Sequence, residues 1–385
     1  MRKKVCIGDL GSIVTGNTPP RNRPELYGNH TPFIKATDIS ESEKYTYNPE
    51  ECYSEEGYKK YIKILIPKGS TCVVTIGSIG KKMTMAHCDL FINQAMNAII
   101  PNACFDSEYV YYAVKNVLRN IKTLDSGTAS GRENVSKSAF SKMEIWVEEE
   151  WLIQQRIATI LSRYDSLIEN YQKQIKLLEE SAQCLYKEWF VDLRFPGHEN
   201  TKIVDGIPEG WEKKKVGYLI SKVRRTKQVS ANNYLNSGCI PVIDQSRNYI
   251  AGYTNDIESL VEVTIPYIVF GDHTRVLKYV PFSFAKGADG TQLIMSNDLE
   301  RMPQSLFYNS LIEIDLSNYS YARHFKYLKE ESILVPSKDI AQRYDKVVSQ
   351  HCQSIQKSRD QIRHLTEARD RLLPKLMNGE IQNLY

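Results

Sequence analysis

Two stretches of this chain, 187 residues apart, carry the same interrupted heptad. The first seam runs Ile153, Ile157, Ile160, Tyr164, Ile168, Tyr171, Ile175, Leu178, Ala182, Leu185, Trp189. Its copy runs Ile340, Tyr344, Val347, His351, Ile355, Ser358, Ile362, Leu365, Arg369, Leu372, Leu376. Both step by three or four residues in the same order, with a four-residue stutter at the same place. Unrelated amphipathic helices have no reason to share a phase slip, so the pattern marks a duplicated long helix. Off-seam identities at the same offset, Gln155 with Gln342 and Arg156 with Arg343, agree. A helix of this length spans roughly 55 Å, too long to be buried inside one small domain. Matching seams predict that the two helices pack on each other, antiparallel, with one globule at each end and pseudo-two-fold symmetry. Polar residues His351, Ser358 and Arg369 on the second seam admit two readings. They lie near a rim, or they set register at some cost in stability.

Each helix closes a strand-rich half. The first half contains TPFIKATDI, STCVVTI, FINQAMNAII and MEIWV; the second contains IPVIDQ, VTIPYIVF, KYVPFSFA, TQLIMS and LIEIDLS. Turn clusters such as GSIG, FGDHTR and KGADGT separate them. The halves open on comparable phrases, Lys4-Val5-Cys6-Ile7-Gly8-Asp9-Leu10 and Lys215-Val216-Gly217-Tyr218-Leu219. The fold class expected is α+β, with globules at 1–149 and 212–336, helices at 150–192 and 337–378, a connecting segment at 193–211 and a tail at 379–385.

A length of 385 residues and 42% hydrophobic content allow two or three cored domains, and a formal charge of +4 permits a polyanionic partner without requiring one. The eight cysteines are scattered, with no CxxC pair, and read as reduced thiols of a cytoplasmic protein. No apolar run is long enough to span a bilayer, and the basic start lacks the apolar core of a signal peptide.

Catalytic motifs are scarce. Gly77-Ser78-Ile79-Gly80-Lys81-Lys82 fails as a phosphate loop, because the required glycine falls on Thr75 and the Ser/Thr on Lys82. No GxGxxG follows a strand, and the histidines lack metal-site spacing, so no metal is expected. Asp205 with Glu212-Lys213-Lys214 can be forced into a nuclease pattern, but charged runs before a strand are usually solvated faces. What remains is a set of glycine-rich basic loops whose side chains suit phosphates and base edges. By residue type the DNA-contact candidates in the first half are Thr15, Asn17, Arg21, Arg23, Lys81, Lys82, Arg132, Asn134 and Lys137. In the second half they are Arg224, Arg225, Lys227, Arg247, His273, Thr274, Arg275, Lys278, Thr291 and Gln292. Any one such loop also matches an ordinary polar surface loop; paired globules on a spacer favour the DNA reading.

The chain resembles the specificity subunits of type I restriction–modification systems over nearly its whole length. The resemblance is carried by Leu10-Gly11 leading into Thr15-Gly16-Asn17-Thr18-Pro19, Ile79-Gly80 followed by Asn93-Gln94, and Gln154-Gln155-Arg156-Ile157-Ala158-Thr159-Ile160-Leu161. It continues through Leu185-Tyr186-Lys187-Glu188-Trp189-Phe190-Val191-Asp192 and Pro208-Glu209-Gly210-Trp211-Glu212, and is most specific at Arg369-Asp370-Arg371-Leu372-Leu373-Pro374-Lys375-Leu376-Met377-Asn378-Gly379-Glu380-Ile381. The resemblance implies two target-recognition domains, each reading half of a bipartite site in double-stranded DNA. It also implies helices that act as spacer and as docking surface for two methyltransferase subunits, with restriction/translocase subunits beyond them. No catalytic centre and no cofactor would belong to this chain; adenine methylation would be the partners' work. The rival readings are a self-contained nuclease or methyltransferase, and a coiled-coil scaffold without DNA affinity.

Overall fold

In the computed structural model, described for residues 2–125, 133–224, 226–319 and 323–381, strand pairing closes each half on itself. The first half runs β1 (Arg2–Cys6), β2 (Gly11–Thr15), β3 (Tyr27–Gly28), β4 (Thr31–Ile34), β5 (Glu51–Tyr53) and α1 (Glu55–Tyr61). It continues β6 (Thr71–Val74), β7 (Met83–Met85), β8 (Phe91–Ile92), β9 (Met96–Pro101), α2 (Ser107–Val117), α3 (Lys137–Lys142) and β10 (Glu144–Glu148), then the long α4 (Trp151–Tyr186). The second half opens with the small hairpin β11 (Ile203–Val204) and β12 (Ile207–Pro208), then β13 (Glu212–Lys215), α5 (Val216–Leu219), β14 (Ile240–Ile243), β15 (Gly252–Thr254) and β16 (Leu260–Val261). After these come β17 (Tyr267–Gly271), β18 (Leu277–Val280), β19 (Phe284–Lys286), β20 (Thr291–Ile294), α6 (Gln304–Ile312), α7 (His324–Glu330), β21 (Ser332–Val335) and α8 (Lys338–Met377).

The chain forms two units, Met1–Tyr171 with Gln361–Tyr385, and Gln172–Asp360. In each, the opening strand pairs antiparallel with the strand just before the long helix, β1 with β10 and β13 with β21. The opening phrases noted in the sequence are therefore the same structural device. The first unit has an antiparallel sheet ordered β2-β9-β6-β7 and a mixed sheet β3-β5-β4-β8, in which β4 and β8 are parallel. The second unit repeats the plan as β18-β17-β20 and β15-β14-β19-β16, with β14 and β19 parallel. Matching backbone bonds anchor the correspondence: Thr75 N–H to Ala95 O (2.9 Å) answers Asp272 N–H to Gly290 O (2.7 Å). Asn93 N–H to Ile34 O (3.1 Å) answers Gly287 N–H to Ile243 O (2.9 Å).

Helix starts follow local chemistry. Asp106 caps α2 by accepting from Tyr109 N–H, and Ser136 caps α3 by accepting from Ala139 N–H. The first core packs Ile7, Leu10, Ile99, Tyr109, Val114 and Phe140 with Ile157 and Leu161 of α4 and Leu373 and Leu376 of α8. The second packs Trp211, Val216, Leu306 and Phe307 with Ala182, Tyr186, Ile340, Tyr344 and Val348.

The helices pair within each unit. In the second unit Glu179 meets Arg359 (3.1 Å) and Tyr186 meets Tyr344, so the two helices of the pair run antiparallel. In the first, Asp165 meets Arg369. This is the α+β fold class expected, with two strand-rich units and long antiparallel helices. One seam position differs from expectation. Val347 is 41% exposed, and Val348 is fully buried in its place. Near its start α8 packs on globular structure, and Ile340, Tyr344 and Val348 follow the 3.6-residue period of a straight helix rather than a heptad. Its equivalent in the first copy, Leu161, is likewise fully buried. On the polar seam, Arg369 is buried, its side chain 5% exposed and bonded to Asp165, so a solvent-exposed rim does not describe it. A π-helical turn at Lys187–Val191 ends the first helix.

Candidate nucleic-acid interface

Strand direction decides which loops meet. In the first unit β9 is antiparallel to both β2 and β6, so the ends of β2 and β6 and the start of β9 lie along one sheet edge. That edge carries the loops beginning at Gly16, Thr75 and Asn93. Gly16 is required there, because a Cβ would sit 2.2 Å from Ile92 O and 2.3 Å from Asn93 O. The Thr18 hydroxyl bonds Gln94, so the Thr15–Pro19 and Asn93-Gln94 motifs, far apart in sequence, touch. Gly77 N–H donates to Glu133 O (3.0 Å) and Val135 N–H to Thr75 O (2.9 Å), which brings the segment before α3 to the same edge.

Beneath these loops lies Asn97, 2% exposed on β9. Its Oδ1 accepts from the Thr15 hydroxyl (2.6 Å) and its Nδ2 donates to Thr75 Oγ1 (2.9 Å). Two tyrosines hold the first loop from below: Tyr53 OH donates to Asn17 O (2.8 Å) and Tyr27 OH to Pro19 O (2.6 Å).

The second unit gathers its loops by the same topology. The end of β17 and the start of β20 face each other at Gly271 and Thr291, and parallel β14 and β19 end side by side. Loops 244–249, 272–276 and 287–290 therefore converge. Gln245 links all three: its Oε1 accepts from His273 N–H (3.1 Å), its Nε2 donates to Asp289 O (3.0 Å), and its main-chain O accepts from the Thr274 hydroxyl (2.6 Å). Gly290, in the left-handed region at φ +72°, leaves room for this; a Cβ there would lie 2.7 Å from the His273 ring and 2.8 Å from Gln245 Oε1.

Among the residues expected from sequence, Arg23, Lys81, Lys137, Arg224 and Arg247 are exposed cations with no ion pair among the described residues. His273 and Arg275 are exposed on the 272–276 turn, and Arg275 adopts φ +61° while its guanidinium donates to Leu316 O (3.1 Å). Other candidates are already engaged. Arg21 forms a two-pronged pair with Glu51 (2.5 and 3.1 Å) and lies over the Tyr27 ring. Lys227 bridges Asp256 (2.8 Å) and Glu258 (3.2 Å). Lys82 donates to Ala36 O (3.4 Å), and the Thr15 and Thr274 hydroxyls point inward as described.

Lys278 departs furthest from a phosphate contact. It is 4% exposed, and its ammonium donates to Asp244 O (2.8 Å) and Asn248 O (2.5 Å), tying down loop 244–249 from below. Burial pushes its pKa down to about 8, against the pull of Asp244. Thr291 is buried (2% exposed), Gln292 and Asn134 are half-buried, and Asn17 enters through its backbone. Arg132 and Arg225 lie outside the described residues. Residue-type reasoning missed Asn97, Thr75 and the bridging role of Gln245, since nothing local distinguishes a bridging amide from a surface one.

The nuclease pattern does not assemble. Glu212 pairs with Arg301 and with Lys214 (2.9 Å), while Asp205 sits in the tight β11–β12 turn at φ +49°. No group of three acidic, histidine or cysteine side chains able to hold a metal occurs among the described residues, and none of the described helices is long and apolar enough to cross a membrane.

Comparisons with known proteins agree with this layout. The model of the type I restriction modification DNA specificity domain matches residues 2–180. The type I restriction enzyme MjaIX specificity subunit of Methanocaldococcus jannaschii is 28% identical, over 98% of this chain and 92% of its own length. The HindI specificity subunit of Haemophilus influenzae is 30% identical over 45% of this chain and 38% of its own. Among solved structures, the type I restriction–modification S subunit from M. genitalium superposes with a TM-score of 0.60 at 19% identity, covering 98% of this chain and 96% of that one.

Proposed function

This chain belongs to the specificity subunits of type I restriction–modification systems, and from that premise we propose that its two strand-rich units each read one half of a bipartite DNA target. It is the non-catalytic recognition member of its complex and associates with DNA and with the other restriction–modification subunits. The observation that carries the two-reader proposal is the repeated loop edge: the same sheet topology gathers basic loops in both units. Exposed Arg23, Lys81 and Lys137 in one unit and Arg224 and Arg247 in the other suit phosphates, which position a protein on duplex DNA without reading it. His273 and Arg275, at the tip of the 272–276 turn, are the second unit's candidates for base edges.

In this reading residues 1–149 and 212–336 are the target-recognition domains, joined through 193–211, and 150–192 and 337–378 are the spacer helices, with 379–385 as tail. Two methyltransferase subunits dock on the helices, supply S-adenosylmethionine chemistry and methylate adenine, and a restriction subunit acts through the same assembly in the cytoplasm. Mapping methylated adenines across a genome with and without this gene tests the proposal. A two-part methylated motif that disappears with the gene is expected; an unchanged methylation pattern would overturn it.

A further inference from the structure

A carboxamide side chain carries an acceptor and a donor on one rigid plane, so it can hold two neighbouring segments at a set distance without burying a charge. Both loop edges contain such a bridge. In the first unit buried Asn97 joins Thr15, at the root of the Gly16–Arg23 loop, to Thr75, at the root of the loop leading to Lys81. In the second, Gln245 joins the 272–276 turn to the 287–290 turn and receives the Thr274 hydroxyl on its own main chain. Resting on the two-reader proposal above, we propose that Asn97 and Gln245 are positioning residues for half-site specificity, one per unit, and not base readers themselves.

Their own bonding excludes direct reading. An amide that recognises adenine uses its oxygen and its nitrogen together on one base edge. For Gln245 those same two atoms are bonded to His273 N–H and Asp289 O, and for Asn97 both face the protein interior. Base discrimination needs side chains held to about 0.5 Å, which a loop reaches only when its supports are themselves locked. Gly16 and Gly290 complete the arrangement, because a Cβ at either would strike the neighbouring loop. Topology places Asn97 on an inner strand of its sheet, β9, and Gln245 just past the end of β14. The two units thus reach the same result from different strands.

The test uses the full chain assembled with its modification subunits and a pool of random-sequence duplex DNA, from which bound molecules are recovered and sequenced. Wild-type chain should enrich a motif in two parts. Gln245→Met, similar in length but unable to bridge, should lose roughly tenfold or more of its preference in one part while keeping the other. Asn97→Leu should do the reverse. Because Asn97 is buried, Thr15→Val and Thr274→Val, which each remove one hydroxyl from a bridge, provide milder versions with the same expected pattern. A variant that merely loosens the fold would lose binding to both parts together, and that outcome, or unchanged preference in all four variants, would overturn the positioning role. Failure of the wild-type chain to enrich any two-part motif would instead overturn the two-reader proposal beneath it.

Discussion

The Asp165 carboxylate accepts a hydrogen bond from the Arg369 guanidinium at 2.5 Å across the helix pair of the first unit, and both side chains are less than one-tenth exposed. Tyr112 OH donates to the other Asp165 oxygen (2.5 Å), so helix α2 joins the same node. At the duplicated positions, 187 residues on from Asp165 and 187 back from Arg369, the second unit has Cys352 and Ala182. The repeat therefore carries an ion pair at these positions in one unit and, in the other, two uncharged side chains that belong to or pack against the second core.

Removing one partner should be far worse than removing both. Arg369→Met leaves the buried Asp165 carboxylate without its ion-pair partner, held only by the Tyr112 hydroxyl and the more distant charge of Lys115, at a cost of about 3–5 kcal/mol. Combining it with Asp165→Leu and Tyr112→Phe should recover most of that loss. Urea unfolding of the purified chain checks this; a triple variant no more stable than the single one would contradict the account.

The same node makes stability acid-sensitive. Burial by itself raises the Asp165 carboxyl, but Lys115, Arg369 and the Tyr112 hydroxyl outweigh it and hold the pKa below its ordinary value. A carboxyl depressed in the folded state stabilises above its unfolded pKa, about 3.9, and that contribution is lost as pH falls through the folded value. The stability difference between wild type and Asp165→Asn should accordingly be constant above about pH 5 and shrink below pH 4.

Arg247 and Lys278 should separate cleanly in DNA binding. Arg247→Ala, if it removes a phosphate contact, should lower the slope of log affinity against log salt by about 1. Lys278→Met should leave that slope unchanged, because its ammonium is spent on Asp244 and Asn248 carbonyls. Its titration gives a second readout. With a folded pKa near 8 and an unfolded value of about 10.4, the unfolded chain holds the proton longer, so wild type gains stability relative to Lys278→Met as pH rises between them.

Arg275 combines a side chain at the loop tip with a left-handed backbone, at φ +61°. Replacement by glycine should relieve about 1 kcal/mol of strain while removing the guanidinium. Because the bond to Leu316 O is lost as well and is worth about as much as the strain, thermal stability close to wild type together with weakened binding to one half-site is expected. Equal weakening across all sequences would mark a phosphate contact instead.

Periodic features were legible in the chain itself. A seam repeated 187 residues apart needs only residue order, since helical phase is set by nearest neighbours along one helix. The paired opening phrases also translated directly, into β1–β10 and β13–β21. Even the one misplaced seam residue, Val347, was displaced by its neighbour Val348 when globular packing replaced coiled-coil packing.

The standing of each loop cation was another matter. Nothing near Arg21 in sequence announces Glu51, nothing near Lys278 announces the carbonyls of Asp244 and Asn248, and Asp165 finds Arg369 only through the antiparallel pairing. Residue order alone determined the duplicated helices and the strand-rich halves, because periodicity and turn chemistry are local. Tertiary structure alone decided which polar groups face outward and which are consumed within the protein, because charge pairing and desolvation depend on neighbours the chain delivers from far away.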